Sequence, residues 1–202
     1  MRTILNSRYF IWLILAFPGF GMLSRYADGR LDAMGMLHPT GEFALRFMII
    51  AMLIGPLIDV FGSRRWLRWL LARRRWIGFA AFLYALAHLV FYVLDMGLLA
   101  EMLAEITEHG IWTGWAALLL MALPGLASTD WAMRALGRSW KRVQQFAYPA
   151  ALLSVLHWGL LTWEWVPALV HIAPLVLFNA LRLIKRLSSG RMSGAQTKDL
   201  TA

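Results

Sequence analysis

The sequence has no cysteine in its 202 residues. This absence excludes disulfide bridges, cysteine-ligated iron–sulfur clusters, thiolate catalysis and covalently attached c-type haem. A glycine-rich phosphate loop, a nucleophile elbow and an HExxH zinc motif are also missing, as is any flavin or nicotinamide fingerprint. Redox or catalytic chemistry must therefore come from a bound cofactor, or from the histidines and the few acidic residues.

Charged residues are scarce as well, at 15% of the chain, whereas hydrophobic residues make up 60%. A soluble domain of this size could not bury so much apolar surface. Crossing a hydrocarbon core about 30 Å thick takes roughly 20 apolar residues per helix. We therefore predict an all-α integral membrane protein, a six-transmembrane-helix bundle with spans near 9–24, 43–60, 76–95, 111–128, 146–163 and 166–184.

The basic residues predict the orientation of this bundle. Seventeen of the 20 lysines and arginines fall before the first span, after the second, after the fourth or after the sixth, all on one side of the membrane. The positive-inside rule makes that side cytoplasmic, so we expect both termini in the cytoplasm. The net charge of +9 is then explained by topology and by contact with anionic membrane lipid, and no nucleic-acid partner is expected.

We expect one domain, a six-helix transmembrane unit over residues 1–187. The remaining segment, 188–202, is polar and rich in small residues, which is typical of a flexible tail, here cytoplasmic. Two connections have helical patterns of their own. Segment 64–75 interleaves arginine with tryptophan and leucine, as helices on membrane surfaces do, and segment 95–110 has an apolar helical stripe.

Two histidines lie deep within the predicted spans. His88 and His157 each follow a cytoplasmic boundary, at Arg75 and Gln144 respectively, by 13 residues. At 1.5 Å per residue this spacing puts both side chains about 20 Å from the inner boundary, at matching depth in the outer leaflet. An ionisable group at membrane depth is costly and indicates a functional site.

Small residues accompany both histidines at the same helical positions, three and seven residues earlier. Such residues share a face with the histidine and would leave a flat slot for a porphyrin. Histidine is a common ligand of haem iron, so we predict that His88 and His157 are the two metal ligands of one haem. The alternative is that the small residues only allow close helix packing, with each histidine hydrogen-bonded to a neighbour. The small residues are Ala81, Ala85, Ala150 and Ser154.

Two further side chains are candidates for cofactor binding. His171 has a similar expected depth and could replace either ligand, bond a haem propionate or help to bind quinone. Arg46 could pair with a propionate, or form an i,i+4 ion pair with Glu42. By contrast, His38 and His109 fall in outer connections and are expected on the solvated surface, with His109 near the end of a helix.

Three sequence stretches resemble the MsrQ (YedZ) family of the ferric-reductase-like transmembrane superfamily, over roughly residues 40–160. They are Thr40-Gly41-Glu42-Phe43-Ala44-Leu45-Arg46; Arg74-Arg75-Trp76-Ile77-Gly78 leading to Leu86-Ala87-His88-Leu89; and Leu136-Gly137-Arg138-Ser139-Trp140-Lys141-Arg142 leading to Tyr148 and Val155-Leu156-His157. At the start of the first stretch, Pro39-Thr40-Gly41-Glu42 is expected to form a turn before the second span, with Thr40 as a helix cap.

The resemblance implies a multi-pass protein of the bacterial inner membrane that binds b-type haem through His88 and His157. Such a protein is an electron-transfer subunit of an oxidoreductase system rather than a complete enzyme. It passes electrons to a periplasmic molybdenum oxidoreductase. That partner repairs oxidised methionine. The electron donor is quinol or a cytosolic flavin reductase, so quinone or FMN is a possible further cofactor.

One position departs from the family pattern. Gln144 stands where the family usually has a histidine, and glutamine is a poor ligand of haem iron. One haem b is therefore expected, with the second, inner site in doubt. The competing hypothesis is a haem-free structural or assembly subunit of a larger membrane complex, since eleven tryptophans and eleven methionines suit adaptable interfaces. A transporter is disfavoured because the spans have no chain of acidic and basic groups.

Overall fold

A computed structural model describes the backbone of residues 7–199 and the side chains of residues 7–188. The regular structure in this range is entirely helical, which confirms the all-α prediction. Five of the six long helices have the length and hydropathy of membrane spans, and the fifth in order is shorter but apolar. The six are α1 (Arg8–Ala27), α2 (Ala33–Phe61), α3 (Arg74–Met96), α4 (His109–Leu126), α5 (Ala147–Thr162) and α6 (Trp165–Asp199).

Two antiparallel helix pairs form the centre of the bundle, α2 with α3 and α4 with α5. In the first pair His88 lies beside Gly41 at one end and Gly78 beside Ala51 at the other. Helix α6 packs against α2 and α5, and α1 packs against α2 and α3. Since α3 and α5 run in the same direction, equal spacings along them give equal depths.

A side chain of α3 hydrogen-bonds the backbone of the first helix at a point where the helix's own hydrogen bonding is interrupted. Pro18 has no N–H and interrupts α1. One residue later, the Tyr84 hydroxyl donates to the carbonyl of Leu15 (3.0 Å) and accepts from the N–H of Gly19 (2.7 Å). The hydroxyl thus occupies a place in the i→i−4 ladder of α1. This inserted bond ties α1 to α3, the helix that carries His88.

The second helix begins earlier than the sequence indicated. Asp32 is its N-cap and accepts a hydrogen bond from the N–H of Gly35 at 2.7 Å. The predicted turn with Thr40 as cap is therefore wrong. Thr40 lies inside α2, where its hydroxyl donates to the carbonyl of Met36 (2.6 Å). The prediction that His109 ends a helix is wrong as well, since this residue begins α4.

Short helices connect the long ones. Helices Arg65–Leu71 and Leu99–Glu105 fall within the two connections for which helices were predicted. Helices Asp130–Leu136 and Trp140–Gln144 join α4 to α5. Helix α6 continues through Asp199, so the polar segment 188–202 is helical over most of its length, and residues 200–202 lie outside the described residues. The flexibility of this segment stays a prediction.

Candidate functional site

The two deep histidines face each other between the helix pairs. The ring centroids of His88 and His157 are 6.0 Å apart, and the ring planes are perpendicular. Both side chains are partly buried. Two helices that are distant in sequence thus bring one imidazole each to a common point.

Each histidine ring is oriented by a backbone carbonyl on the neighbouring helix. His88 Nδ1 lies 2.8 Å from the carbonyl oxygen of Leu37, and His157 Nδ1 lies 2.7 Å from that of Gly110. A carbonyl only accepts, so Nδ1 carries the proton in both rings. In the neutral tautomer this leaves the Nε2 lone pair free. Histidines that bind metals usually have this arrangement, with the non-ligating nitrogen donating to a carbonyl or carboxylate.

The spacing of the rings suits one metal ion held between them. With metal–nitrogen bonds of about 2 Å and a ring centroid about 1 Å behind each nitrogen, two imidazoles that share an ion have centroids about 6 Å apart. The observed 6.0 Å agrees with this value. Hydrogen bonding of each histidine to a neighbour, the alternative to ligation, is present but occupies only Nδ1.

A cavity of about 520 Å³ lies beside the two rings, within the size range of cofactor sites. Its walls come from α2, α3, α4 and α5 and are mostly apolar. Ala85 and Ser154, three residues before each histidine, line it as predicted for the slot. Ala81 and Ala150 lie one turn deeper, where they are fully buried in the helix contacts of the core. The slot therefore closes at the level of this deeper pair.

The wall opposite the histidine helices is built from a sequence that occurs twice. Residues 40–48 of α2 and 113–121 of α4 share the pattern Thr-Gly-x-x-Ala-Leu-x-x-Met. The glycine, alanine, leucine and methionine of both copies line the cavity. These residues were not identified as a pair from the sequence, although a search for internal repeats would have found the pattern. They are Gly41, Ala44, Leu45, Met48, Gly114, Ala117, Leu118 and Met121.

His171 and Arg46 form a separate polar cluster. The Nε–H of Arg46 donates to His171 Nε2 at 3.0 Å, and His171 Nδ1 lies 2.7 Å from the carbonyl of Pro167. Arg46 also forms the i,i+4 ion pair with Glu42, at 2.6 Å. Neither His171 nor Arg46 is among the described residues that line the cavity. Ligation through Nε2 of His171 would displace the hydrogen bond from Arg46 and leave the bond between Nδ1 and Pro167 in place.

Two side chains that line the cavity carry buried hydrogen-bond donors that have no protein partner. Among the described residues, the indole N–H of Trp158 and the hydroxyl of Tyr92 have no acceptor. Both side chains line the cavity, together with His38, whose ring lies 5.2 Å from that of Trp158. An unsatisfied buried donor costs about 1–3 kcal/mol. The cavity therefore suits a ligand that is largely apolar and carries acceptor groups at one edge, as haem does with its propionates.

Gln144 lies at the opposite end of the α4–α5 pair from His157; under the predicted orientation this is the inner end, and the end with His157 is the outer end. Its amide Nε2–H donates to the carbonyl of Pro124 at 3.2 Å. It ends the short helix Trp140–Gln144, one connection before α5. The amide therefore ties the Trp140–Gln144 helix to the end of α4 and keeps its carbonyl oxygen and one N–H for other groups.

Comparisons with known proteins identify the family of the chain. Residues 40–155 match the family model described as ferric reductase like transmembrane component. A relative from Xanthomonas oryzae is 37% identical over 158 residues, 76% of this chain and 71% of the relative. One from Xanthomonas euvesicatoria is 34% identical over 180 residues (84% and 81%), and one from Agrobacterium fabrum is 34% identical over 155 residues (73% and 68%).

All three relatives are named protein-methionine-sulfoxide reductase heme-binding subunit MsrQ. No solved structure matches the chain. The matched segment begins at the first Thr-Gly pair and ends two residues before His157, so it includes both copies of the repeated pattern. The chain belongs to the MsrQ family of ferric-reductase-like transmembrane proteins.

Proposed function

We propose that this protein is a b-type haem-binding electron-transfer subunit of the bacterial inner membrane, with His88 and His157 as the axial ligands. The observation that supports this most directly is the pair of facing imidazoles 6.0 Å apart, each with Nδ1 bonded to a carbonyl and Nε2 free. The relatives of the chain are named heme-binding subunits, which supports haem as the group that the two histidines hold.

The bound haem would supply one-electron chemistry, and the chain supplies its surroundings. Carbonyl oxygens of Leu37 and Gly110 fix the orientation of both rings and make them more basic ligands. The apolar walls exclude water, which with ligand basicity sets the reduction potential. We assign Trp158 and Tyr92 as donors to the propionates, since both residues line the cavity and neither donor has a protein acceptor among the described residues.

The proposed route of electrons is toward the periplasmic side, where a methionine sulfoxide reductase, a molybdenum oxidoreductase in this family, would accept them. If both termini are cytoplasmic, as the basic residues predict, the haem would lie in the outer leaflet. Gln144 in the inner half argues for a single haem, because its amide is already bonded to Pro124. A quinol close to the outer haem is then the favoured donor, and a cytosolic flavin reductase with FMN would need a further carrier.

The test is a dithionite-reduced minus oxidised spectrum of the purified protein, with pyridine-haemochrome quantitation. We expect about one b-type haem per chain in the wild type and none in His157→Ala. His109→Ala is the matched control, since His109 is exposed at the start of α4 and is expected to leave the spectrum unchanged. A haem-free wild type expressed with ample haem would refute the proposal and favour the structural subunit.

A further inference from the structure

The two copies of the repeated pattern contact the two histidines through a backbone carbonyl and a glycine at equivalent positions. The carbonyls are those of Leu37 for His88 and Gly110 for His157. The glycines, four residues later, are Gly41 and Gly114. A threonine precedes each glycine and lies within hydrogen-bond distance of the same carbonyl, Thr40 at Leu37 and Thr113 at Gly110.

The glycine in each copy lets the imidazole lie against the helix backbone. A β-carbon at Gly114 would be 2.6 Å from both Nδ1 and Cε1 of His157, closer than real β-carbons approach other atoms. A β-carbon at Gly41 would be 3.1 Å from Nδ1 of His88, which the ring could accommodate only by a small shift. The bond between ring and carbonyl thus depends on glycine in both places, more strictly in the second.

The threonine in each copy shares the carbonyl that orients the ring. The Thr113 hydroxyl is 2.7 Å from the carbonyl oxygen of Gly110 and 3.0 Å from that of His109. The Thr40 hydroxyl is closer to the carbonyl that does not contact the histidine: it is 2.6 Å from the carbonyl oxygen of Met36 and 3.0 Å from that of Leu37. Both threonines are buried. A carbonyl oxygen has two lone pairs, so it can accept from hydroxyl and imidazole together, and each bond weakens the other.

We propose that the Thr-Gly pairs 40–41 and 113–114 are positioning residues for the two haem ligands, and that Thr113 sets the electron-donating strength of His157 through the shared Gly110 carbonyl. This inference rests on the proposed haem site. A histidine whose Nδ1–H bond strengthens becomes a more basic ligand and stabilises the ferric state. By sharing the carbonyl, Thr113 weakens that bond and raises the reduction potential.

The threonine is tested by a redox titration of Thr113→Val, which keeps the shape of the side chain and removes the hydroxyl. We expect a lower haem reduction potential than in the wild type, a smaller shift of the same sign for Thr40→Val, and wild-type behaviour for Thr113→Ser. An unchanged potential in Thr113→Val with full haem content would overturn the tuning role. Equal shifts in the valine and serine variants would also overturn it, since the hydroxyl would not be the cause.

The glycine is tested by Gly114→Ala, with Gly55→Ala as the matched control. Gly55 also lies inside a span, but nothing lies within 4 Å of a β-carbon placed there. We expect Gly114→Ala to lose the six-coordinate, low-spin signature in optical and electron paramagnetic resonance spectra. Gly41→Ala should show a weaker change, and Gly55→Ala none. A wild-type spectrum in Gly114→Ala would overturn the positioning role.

A measurement without haem separates this proposal from the haem assignment. Deuterium exchange at the imidazole Cε1–H, read by mass spectrometry on haem-free protein, reports the surroundings of each histidine. Gly114→Ala should change the exchange rate at His157 and leave that at His88 unaltered, whether or not the wild type binds haem. Equal rates at His157 in the variant and the wild type would show that the ring does not depend on this glycine.

Discussion

The outer and inner ends of the α4–α5 pair use the same kind of bond with different chemical results. At the outer end, His157 donates to the carbonyl of Gly110 at 2.7 Å; at the inner end, Gln144 donates to the carbonyl of Pro124 at 3.2 Å. The histidine retains a second nitrogen with a free lone pair, beside a cavity. The glutamine retains an amide oxygen and one N–H, and it has no second nitrogen with a free lone pair. A side chain fixed by a backbone carbonyl becomes a metal ligand only where a second donor atom and adjacent space remain.

The largest expected effect comes from removing the ring at the outer end. His157→Gly should abolish low-spin haem binding, and free imidazole added to the variant should restore it by occupying the vacated site. Gln144→Gly should retain haem and show no response to imidazole. The comparison would be wrong if imidazole altered the spectrum of the glutamine variant, because that would place a ligand position at the inner end.

A smaller effect is expected from the indole donor at the rim of the outer site. Trp158→Phe keeps an aromatic ring between His38 and His171 and removes the N–H that has no acceptor among the described residues. Hydrogen bonds to charged groups contribute about 1.5–3 kcal/mol, so haem affinity should fall roughly tenfold or more. Competition for haem with an apo-globin measures this. Trp112→Phe is the control, since Trp112 is exposed and should leave the affinity unchanged.

A substitution at the inner end should lower the stability of the protein and leave its haem content unchanged. Gln144→Ala removes one hydrogen bond to Pro124 in a partly buried position, which corresponds to about 1 kcal/mol. The Tm of the detergent-solubilised protein should fall by a few degrees, at unchanged haem content. Exposed Gln145 gives the control, and Gln145→Ala should leave the Tm as it is. A loss of haem in Gln144→Ala alone would mean that the inner end supports the cofactor directly.

The sequence predicted features that depend on spacing along one helix and missed those that depend on a neighbouring helix. Equal 13-residue spacings were enough to infer that His88 and His157 lie at one depth, and their rings lie together. The start of α2 was missed because Pro39 suggested a turn, although it interrupts a helix already capped by Asp32. The carbonyls of Leu37 and Gly110 could not be inferred, since backbone groups carry no sequence signal.

The small residues show the same division. Ala85 and Ser154, within one turn of the histidines, line the cavity, whereas Ala81 and Ala150 are fully buried. Position on a helix face was predictable from periodicity. The depth at which the cavity between the helices ends was not predictable, because it depends on side chains from other helices. Met48 and Met121 line the cavity and pack in the same core cluster as Ala81 and Ala150. Nothing in the sequence of their own helices indicates that the cavity ends there.

The smallest expected effect is the sharpest test of the comparison, because a histidine introduced at position 144 should not create a second haem site. Gln144→His would provide one imidazole near Pro124. A second ligand at the matching position on α3, 13 residues before His88, would have to be Arg75, which is ion-paired to Asp130 at 2.5 Å and is no iron ligand. Space is short as well, since Phe82 lies so close to Gly125 that a β-carbon there would be 2.6 Å from the ring. Pyridine-haemochrome quantitation should therefore still give about one haem per chain. A second haem per chain in Gln144→His would show that the inner end has a cofactor site and lacks only the ligand. The two ends would then differ by a single residue.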